Sequence, residues 1–160
     1  MSPTHFRAPW SRKLMITTGI VLALLAFVAS QLPWGGRPLV LGIALLGLVF
    51  SVRGYSVMDG SVVVHRLGWA TRFPLRDIRD VEFQPHAMMG SIRTFGIGGF
   101  FGSIGRFRNT ILGPYRAYAT DGERTVVLGM ADGGTVVVTP DRPMDFAELV
   151  RNRAGLSPAD

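Results

Sequence analysis

Two long apolar runs near the start of the chain dominate its hydrophobic pattern. Residues 14–32 form a run of nineteen residues without a charge, and residues 38–55 form a second run of eighteen that contains only Arg53 as a charge. The five residues 33–37 separate them. As helices rising 1.5 Å per residue, the runs span about 28 and 27 Å, close to the roughly 30 Å hydrocarbon core of a bilayer. We therefore predict a transmembrane hairpin over residues 14–55, with helices at 14–32 and 38–55.

The first run has two other interpretations, in which it is not a transmembrane helix of the mature protein. A cleaved signal peptide would account for the basic residues before it, and residues 28–30 (Val-Ala-Ser) are similar to a cleavage site. However, the run is longer than an ordinary signal-peptide core, and a second apolar run follows at once. A buried core helix of a soluble protein is the other interpretation, and it is less favoured because the run lacks a polar face. The pattern therefore favours a retained membrane span.

The charges beside the two runs predict their orientation. Trp10, Arg12 and Lys13 precede the first helix and many basic residues follow the second, whereas the connecting segment 33–37 carries one arginine. Basic flanks face the cytoplasm, and aromatic residues anchor helix ends at the interface. We expect a multi-pass protein with both termini in the cytoplasm and residues 1–13 as a short polar lead.

Small residues recur along both runs at helical spacing. They occupy seven positions, namely Gly19, Ala23, Ala26, Ser30, Ala44, Gly47 and Ser51. Such stripes let helix backbones approach closely in lipid, so they predict packing of the two helices and allow an oligomer to form through them. The general frequency of glycine and alanine in apolar helices explains the pattern equally well.

From residue 54 onward, short β-like runs replace the long apolar ones. The predicted strands include residues 61–67, 71–75, 80–84, 115–120, 124–130 and 134–140. Asp-Gly pairs at 59–60 and 121–122 and the segment 132–134 supply tight turns. We expect six or seven antiparallel strands.

A helix is predicted after the last strand. Asp141 can cap its start, and Pro143 fits its first turn. Phe146, Leu149 and Val150 follow at i, i+3 and i+4, which gives one apolar stripe for packing on a sheet. The expected fold is therefore a membrane-anchored α+β protein, in which a helical hairpin precedes a β-barrel or sandwich closed by a C-terminal helix.

Several short motifs follow one another in a distinctive order in this second part. They are Gly54-Tyr55 to Asp59-Gly60, Phe73-Pro74-Leu75 to Ile78, Arg93 to Gly96, Gly98-Gly99, Gly102, Gly105, Tyr118-Ala119-Thr120, and Thr139-Pro140-Asp141 to Phe146. This order resembles that of bacterial pleckstrin-homology (PH-like) domains, which occur in small membrane proteins behind two transmembrane helices. The resemblance covers residues 53–154 and leaves 155–160 as a tail. It implies a bent β-barrel or sandwich, a place in the bacterial cell membrane and no catalytic residues.

The remaining composition offers little catalytic chemistry. Without cysteine, the chain has no disulfides, thiolate nucleophiles or cysteine-based zinc sites. His5, His65 and His86 lack metal-ligand spacing, and no serine lies in a nucleophile elbow. The mixed charges of residues 76–82 are typical of a solvated face. We expect no enzyme activity, no cofactor and no metal.

Basic residues outnumber acidic ones by 17 to 11, and their placement is uneven. Residues 1–58 and 83–120 contain no acid at all. Beside a bilayer, such charge favours anionic headgroups as a partner. Nucleic acid would accept the same charge, but no nucleic-acid-binding motif accompanies it. The predicted partners are therefore the bilayer and either anionic lipid or a protein, and no nucleic acid.

The glycine-rich segment 93–108 is the most unusual part of the second half. Its glycines do not match a dinucleotide or P-loop fingerprint. Glycine would let a loop bend so that apolar tips enter the interface while arginines meet phosphates. Alternatively, the segment is a structured connection whose aromatic residues pack on the core, with glycines at turns or bulges. The candidate contact residues are Arg93, Phe100, Phe101, Arg106 and Arg108.

Two functions fit these observations. The first is a non-catalytic membrane protein that displays a PH-like domain to the cytoplasm and binds protein or anionic lipid. The second is a small-ligand-binding protein or an accessory subunit of a membrane enzyme or transporter, which a convergent polar pocket would favour.

Overall fold

A computed structural model describes residues 5–156 of the chain. The helices are α1 (Arg12–Gln31), α2 (Arg37–Phe50) and α3 (Pro143–Ala154). The strands are β1 (His5–Arg7), β2 (Val52–Met58), β3 (Ser61–Arg66), β4 (Ala70–Pro74), β5 (Ile78–Phe83), β6 (Ile92–Gly98), β7 (Ser103–Asn109), β8 (Gly113–Ala119), β9 (Val126–Met130) and β10 (Thr135–Val138). Short 3-10 turns at Trp34–Gly36 and Leu75–Asp77 connect α1 to α2 and β4 to β5.

The helices α1 and α2 pack against each other as a hairpin. By length and composition α1 could cross a membrane, and within residues 5–156 it is the only helix of which this is true. A signal sequence or a buried core helix has the same properties, but only Leu14 and Thr18 of α1 are buried. With 14 residues, α2 is shorter. The hairpin therefore exposes most of its apolar surface.

The second helix ends earlier than the sequence pattern predicts. The expected helix over residues 38–55 is wrong at its end, because α2 stops at Phe50 and β2 begins at Val52. Val52, Tyr55 and Val57 are fully buried, since pairing of β2 with β3 places them in the core of the sandwich. An apolar run continues through this junction, although the backbone changes from helix to strand.

The small residues of the hairpin do not bring the two helices together as predicted. On α1 they are exposed, and a Cβ added at Gly19 would meet nothing within 4 Å. The less exposed positions of α1 form a different stripe, made of Leu14, Thr18, Val21, Leu25 and Ala29. On α2 Gly47 is buried, and Ser51 is buried directly after the helix. The prediction is therefore wrong for α1, where a different set of residues, most of them larger, occupies the inner face.

The segment before α1 contributes a strand to the domain. The residues paired between β1 and β2 are His5 with Ser56, Phe6 with Tyr55, and Arg7 with Gly54. Phe6 is only 1% exposed, and its ring packs edge-on against Phe146 with centroids 5.1 Å apart. The residues directly before α1 and directly after α2 are thus held in one sheet. Three residues are too few for strand alternation to be seen in the sequence.

Two sheets form the sandwich, with strand orders β1-β2-β3-β4 and β5-β9-β10-β8-β7-β6. The predicted β-sandwich is confirmed. The expectation of six or seven strands, all antiparallel, is wrong, because residues 5–156 contain ten and β10 pairs with β8 in parallel. The strands missing from the prediction include β6, whose residues are almost all exposed and so show no alternation.

The C-terminal helix α3 packs on the sandwich as predicted, with Phe146 and Val150 fully buried. Asp141 does not cap it, since the N-cap position is Arg142 and has no side-chain cap. Instead, the Asp141 carboxylate accepts from the backbone N–H groups of Arg142 at 3.1 Å and Arg7 at 3.2 Å. Asp141 therefore joins β1 to the start of α3.

Tyr55 connects the two sheets through its hydroxyl. The hydroxyl donates to the carbonyl of Tyr118 at 2.6 Å and accepts from the backbone N–H of Thr139 at 3.2 Å. Burial raises the pKa of Tyr55 to about 12, against the opposing effect of its hydrogen bonds with Thr139. The folded domain therefore holds the neutral phenol.

We expect the domain to lose stability above pH 10, and Tyr55→Phe to remove part of that loss. The unfolded tyrosine ionises near its ordinary pKa of 10.0, whereas the folded one keeps its proton to about 12. The unfolding free energy should fall by about 1.4 kcal/mol per pH unit between these values. At pH 8 the substitution should cost about 1–3 kcal/mol, because the Thr139 N–H and the Tyr118 carbonyl lose a partner. Urea unfolding of both proteins at pH 8 and pH 11 measures this, and equal pH dependence would contradict it.

Candidate interaction surface

The glycine-rich segment 93–108 lies in a β-hairpin rather than in a loop. Strands β6 and β7 pair antiparallel, with a register shift between Arg93 and Phe95. At Gly96 and Gly105 the strands approach so closely that a Cβ on either residue would lie 2.2 Å from a backbone oxygen of the opposite strand. Both glycines also have positive φ angles, 108° and 138°. They therefore bend the hairpin where a side chain would not fit.

The end of this hairpin contacts both helices. We call residues 99–102 the phenylalanine turn. A Cβ added at Gly47 of α2 would lie 2.4 Å from Cε1 of Phe100 and 2.9 Å from Cδ2 of Phe101. The backbone N–H of Phe101 donates to Oγ1 of Thr18 in α1 at 3.2 Å. The turn therefore fills a space beside both helices, near the ends that adjoin the domain.

Aromatic packing adds to this contact. Phe101 is 8% exposed, and its ring packs edge-on against Trp10 with centroids 5.8 Å apart. The rings of Phe100 and Phe101 lie 4.6 Å apart. Two of the candidate contact residues thus make contacts within the chain. This geometry supports a structured connection for the turn, and the surface on which it packs is the helical hairpin rather than the sandwich core.

An open cleft on the second sheet is lined by arginines. Arg106 and Arg108 lie on the same face of β7, and Arg116 of β8 is the paired residue of Arg106. We define the arginine cleft as the open space of about 550 Å³ lined by these three residues and also by Phe73, Met130, Asp132 and Thr135. Ile104, on the same face of β7, belongs to the sandwich core. The arginine cleft is therefore an open extension of the sandwich interior.

Within the described part of the chain, no carboxylate forms a salt bridge with these three arginines. The salt bridges among residues 5–156 lie elsewhere, at Arg76–Asp77, Arg124–Asp121 and Arg142–Asp145. Asp132 lines the cleft, but its Oδ1 accepts from the backbone N–H of Gly134 at 2.9 Å. Like charges placed directly opposite each other destabilise a sheet. The paired Arg106 and Arg116 therefore destabilise the fold unless an anion neutralises them.

The phenylalanine turn lies at the end of the β6–β7 hairpin, whereas the arginine cleft lies farther along its strands. At about 3.3 Å per residue, Arg106 and Arg108 lie roughly 16 and 23 Å along the chain from Phe101. Arg93 is separate from both, because its pairing with Phe107 places it on the opposite face of the sheet from Arg106. The candidate residues therefore occupy three places rather than one continuous surface.

Arg116 is the arginine of the cleft that the sequence analysis did not nominate. Its strand was predicted over residues 115–120, and it lies in the acid-free segment 83–120. Its position beside Arg106 depends on the register of β7 against β8, and β7 was not predicted. The acid-free segment was the available signal, but it does not show which arginines converge.

The histidines of the first sheet form a separate contact. The rings of His5 and His65 lie 5.7 Å apart, and Nε2 of His65 is 2.7 Å from Oγ of Ser56. Burial, and to a lesser degree the neighbouring His5, lowers the pKa of His65. Among residues 5–156, no group of three histidine or acidic side chains is arranged to hold a metal ion.

Comparison with known proteins identifies one match. A family model described as a bacterial PH domain matches residues 53–154. No curated protein and no solved structure matches the chain. The matched segment starts within β2 and ends with α3, so the helical hairpin and β1 lie outside it.

Proposed function

The chain belongs to the bacterial PH domain family, and we propose that it is a non-catalytic interaction module anchored in the bacterial cell membrane by its helical hairpin. In this proposal α1 and α2 cross the bilayer, and the sandwich lies on the cytoplasmic side. The sandwich with its C-terminal helix supports an interaction module, because the fold presents clefts and strand edges to a partner.

The pairing of β1 with β2 is the observation that carries this proposal. Because β1 precedes α1 and β2 follows α2, their pairing returns both ends of the hairpin to one side. The outward side chains of the hairpin are largely apolar and include Ile16, Leu24, Phe27, Leu41 and Leu45. An exposed apolar surface of this kind marks a membrane or protein contact. Cleavage as a signal peptide would remove Phe6 from the core, which favours retention.

The distribution of charge supports the cytoplasmic orientation. Arg12 and Lys13 begin α1, and Arg53 follows α2 at the same end of the hairpin. The far turn carries Arg37 alone. Basic residues beside membrane helices are retained on the cytoplasmic side. The domain and both ends of the hairpin would therefore face the cytoplasm.

The domain also supplies apolar surface next to α2, which is too short to cross the hydrocarbon core of a bilayer by itself. Its 14 residues span about 21 Å, less than the roughly 30 Å of a hydrocarbon core. At its end, Phe50 packs edge-on against Trp69 of the β3–β4 turn, with ring centroids 4.8 Å apart. Leu67 in the same turn is 54% exposed and Trp69 is 41% exposed. We propose that this turn enters the membrane interface beneath α2, where tryptophan is favoured.

Quenching of single-tryptophan variants by brominated lipids tests the proposed placement. A protein with Trp10→Phe and Trp34→Phe retains Trp69, which should be quenched most by lipids brominated near the headgroup. The matched control has Trp10→Phe and Trp69→Phe and retains Trp34, which lies in the far turn of the hairpin. It should also be quenched, from the other leaflet. If Trp34 is quenched but Trp69 is not, the domain does not contact the bilayer. If neither is quenched, the hairpin is not a membrane anchor.

The arginine cleft supports an anionic partner for the module. Such a partner could be an acidic protein surface or an anionic lipid. The alternative role, as a small-ligand-binding or accessory subunit of a membrane enzyme or transporter, is favoured by the same cleft, since about 550 Å³ lies within the range of small-ligand sites.

A further inference from the structure

We infer that the arginine cleft binds a soluble, compact oxyanion of the phosphate-ester class that carries at least two negative charges. The inference rests on the alternative, small-ligand-binding role proposed for the cleft, and it names the chemistry of that ligand.

The arrangement of charge is the first reason. Arg106 and Arg116 are directly paired on adjacent strands, so their side chains leave the sheet about 5 Å apart. Arg108 lies two residues along β7 on the same face. Each guanidinium offers paired N–H donors whose geometry matches the oxygens of phosphate. Three such groups around one space fit a multivalent anion better than a single carboxylate.

The shape and lining of the cleft favour a compact ligand. Phe73 and Met130 contribute apolar surface beside the arginines. Asp132 is exposed and also lines the cleft, so it would repel an anion extended past the arginines. A small phosphorylated molecule can place its phosphate groups on the arginines and its remaining atoms against the apolar side.

The position of the cleft favours a soluble ligand over a headgroup of the host membrane. The phenylalanine turn contacts the helices at Gly47 and Thr18. Arg106 and Arg108 lie roughly 16 and 23 Å along the chain from Phe101 of that turn, while screening limits electrostatic attraction to about 8 Å at physiological salt. The cleft should therefore take its anion from solution.

Calorimetric titration of inorganic pyrophosphate into the full chain in zwitterionic nanodiscs tests this inference. We expect saturable binding that Arg106→Gln or Arg116→Gln weakens about tenfold and that the double substitution abolishes. The matched control is Arg79→Gln, since Arg79 is an exposed arginine of β5 without a salt bridge in the described chain. This control should bind as the wild type does.

Melting temperatures separate loss of the site from loss of the fold. Without pyrophosphate, Arg116→Gln should melt at a higher temperature than the wild type, because repulsion with Arg106 is removed. Pyrophosphate should raise the melting temperature of the wild type, and should raise that of this variant by less because its affinity is about tenfold weaker. A lower melting temperature of the variant would mean that Arg116 supports the fold, and the inference would be overturned.

A second titration, in nanodiscs that contain anionic lipid, distinguishes the sources of the anion. An unchanged pyrophosphate affinity supports a soluble ligand. If anionic lipid instead competes with pyrophosphate, and Arg106→Gln and Arg116→Gln relieve that competition, the cleft binds headgroups and the inference is overturned. The cleft is not the binding site if the wild type shows no saturable binding at millimolar pyrophosphate. The same conclusion follows if Arg79→Gln loses as much pyrophosphate affinity as the cleft variants do. Membrane insertion is measured separately by Trp34 quenching, so a failed anchor is distinguishable from a failed cleft.

Discussion

Replacement of Phe6 by alanine is expected to lower the free energy of unfolding by about 3–5 kcal/mol, the range for truncating a buried phenylalanine. Phe6 precedes the hairpin, yet its ring packs against Phe146 and lies beneath the guanidinium of Arg142, whose carbon is 5.2 Å from the ring centroid. Truncation would leave a cavity between β1 and α3. It would also remove the side chain that fixes β1 in the sheet.

Chemical unfolding of the full chain in detergent, followed by circular dichroism, measures this effect. The control is Arg7→Ala in the same strand, because the Arg7 side chain is exposed and its removal should change stability by at most about 0.5 kcal/mol. If Phe6→Ala costs no more than Arg7→Ala, β1 is not part of the folded domain.

Replacement of Gly47 by leucine should release the phenylalanine turn from the helices. Even one Cβ at this position would lie 2.4 Å from the ring of Phe100, so the turn must move away. Overpacking of this kind costs about 1–3 kcal/mol. The ring of Trp10 should lose its contact with Phe101, and the Phe101 N–H should lose its bond to Thr18. We expect red-shifted emission from Trp10 in a variant that lacks the other two tryptophans, and faster hydrogen exchange at Phe101.

Gly42→Leu is the matched control, since it lies on the same helix and a Cβ there would meet nothing within 4 Å. It should leave both the emission and the exchange unchanged, and it should favour the helix slightly because glycine is a poor helix former. Equal effects of the two substitutions would show that Gly47 acts through helix propensity rather than through contact with the turn.

The parts of the fold that the sequence predicts are those with a strong local signal, either an apolar run after a turn pair or an apolar helical stripe. The segments 61–67 and 134–140 each contain three consecutive valines and follow an Asp-Gly pair, and both contain strands of the structure. The helix that carries Phe146 and Val150 was expected from its apolar stripe, and it packs on the sandwich. The two strands bury consecutive residues on both faces, whereas the helix buries a single stripe, and each apolar pattern matches that burial.

The missed elements lack such a pattern for physical reasons. β6 is an edge strand whose residues are almost all exposed, so neither face is selected to be apolar. β1 has three residues, and only Phe6 shows that one face is buried. At the end of α2 the residues remain apolar while the backbone changes from helix to strand, so hydropathy alone does not locate the boundary.

The candidate residues were recognised individually but not as an arrangement. The acid-free segment drew attention to Arg106 and Arg108, whereas their convergence with Arg116 depends on strand register. Phe100 and Phe101 were assigned to lipid or to a core, and their actual neighbours are Gly47, Thr18 and Trp10. These contacts join segments far apart in the sequence, which no local pattern encodes.

Disulfide trapping in native membranes tests most directly the claim that β1 and β2 close the hairpin on one side of the bilayer. The chain has no cysteine, so His5→Cys and Ser56→Cys introduce one defined pair. These residues are directly paired, and opposed antiparallel residues lie about 5 Å apart at Cα, within disulfide range. The control pair, His5→Cys with Met58→Cys, is displaced by about 7 Å along the strand. We predict an intramolecular disulfide in the first pair only. A reduced first pair, or a chain that has lost its N-terminal segment, would contradict the account.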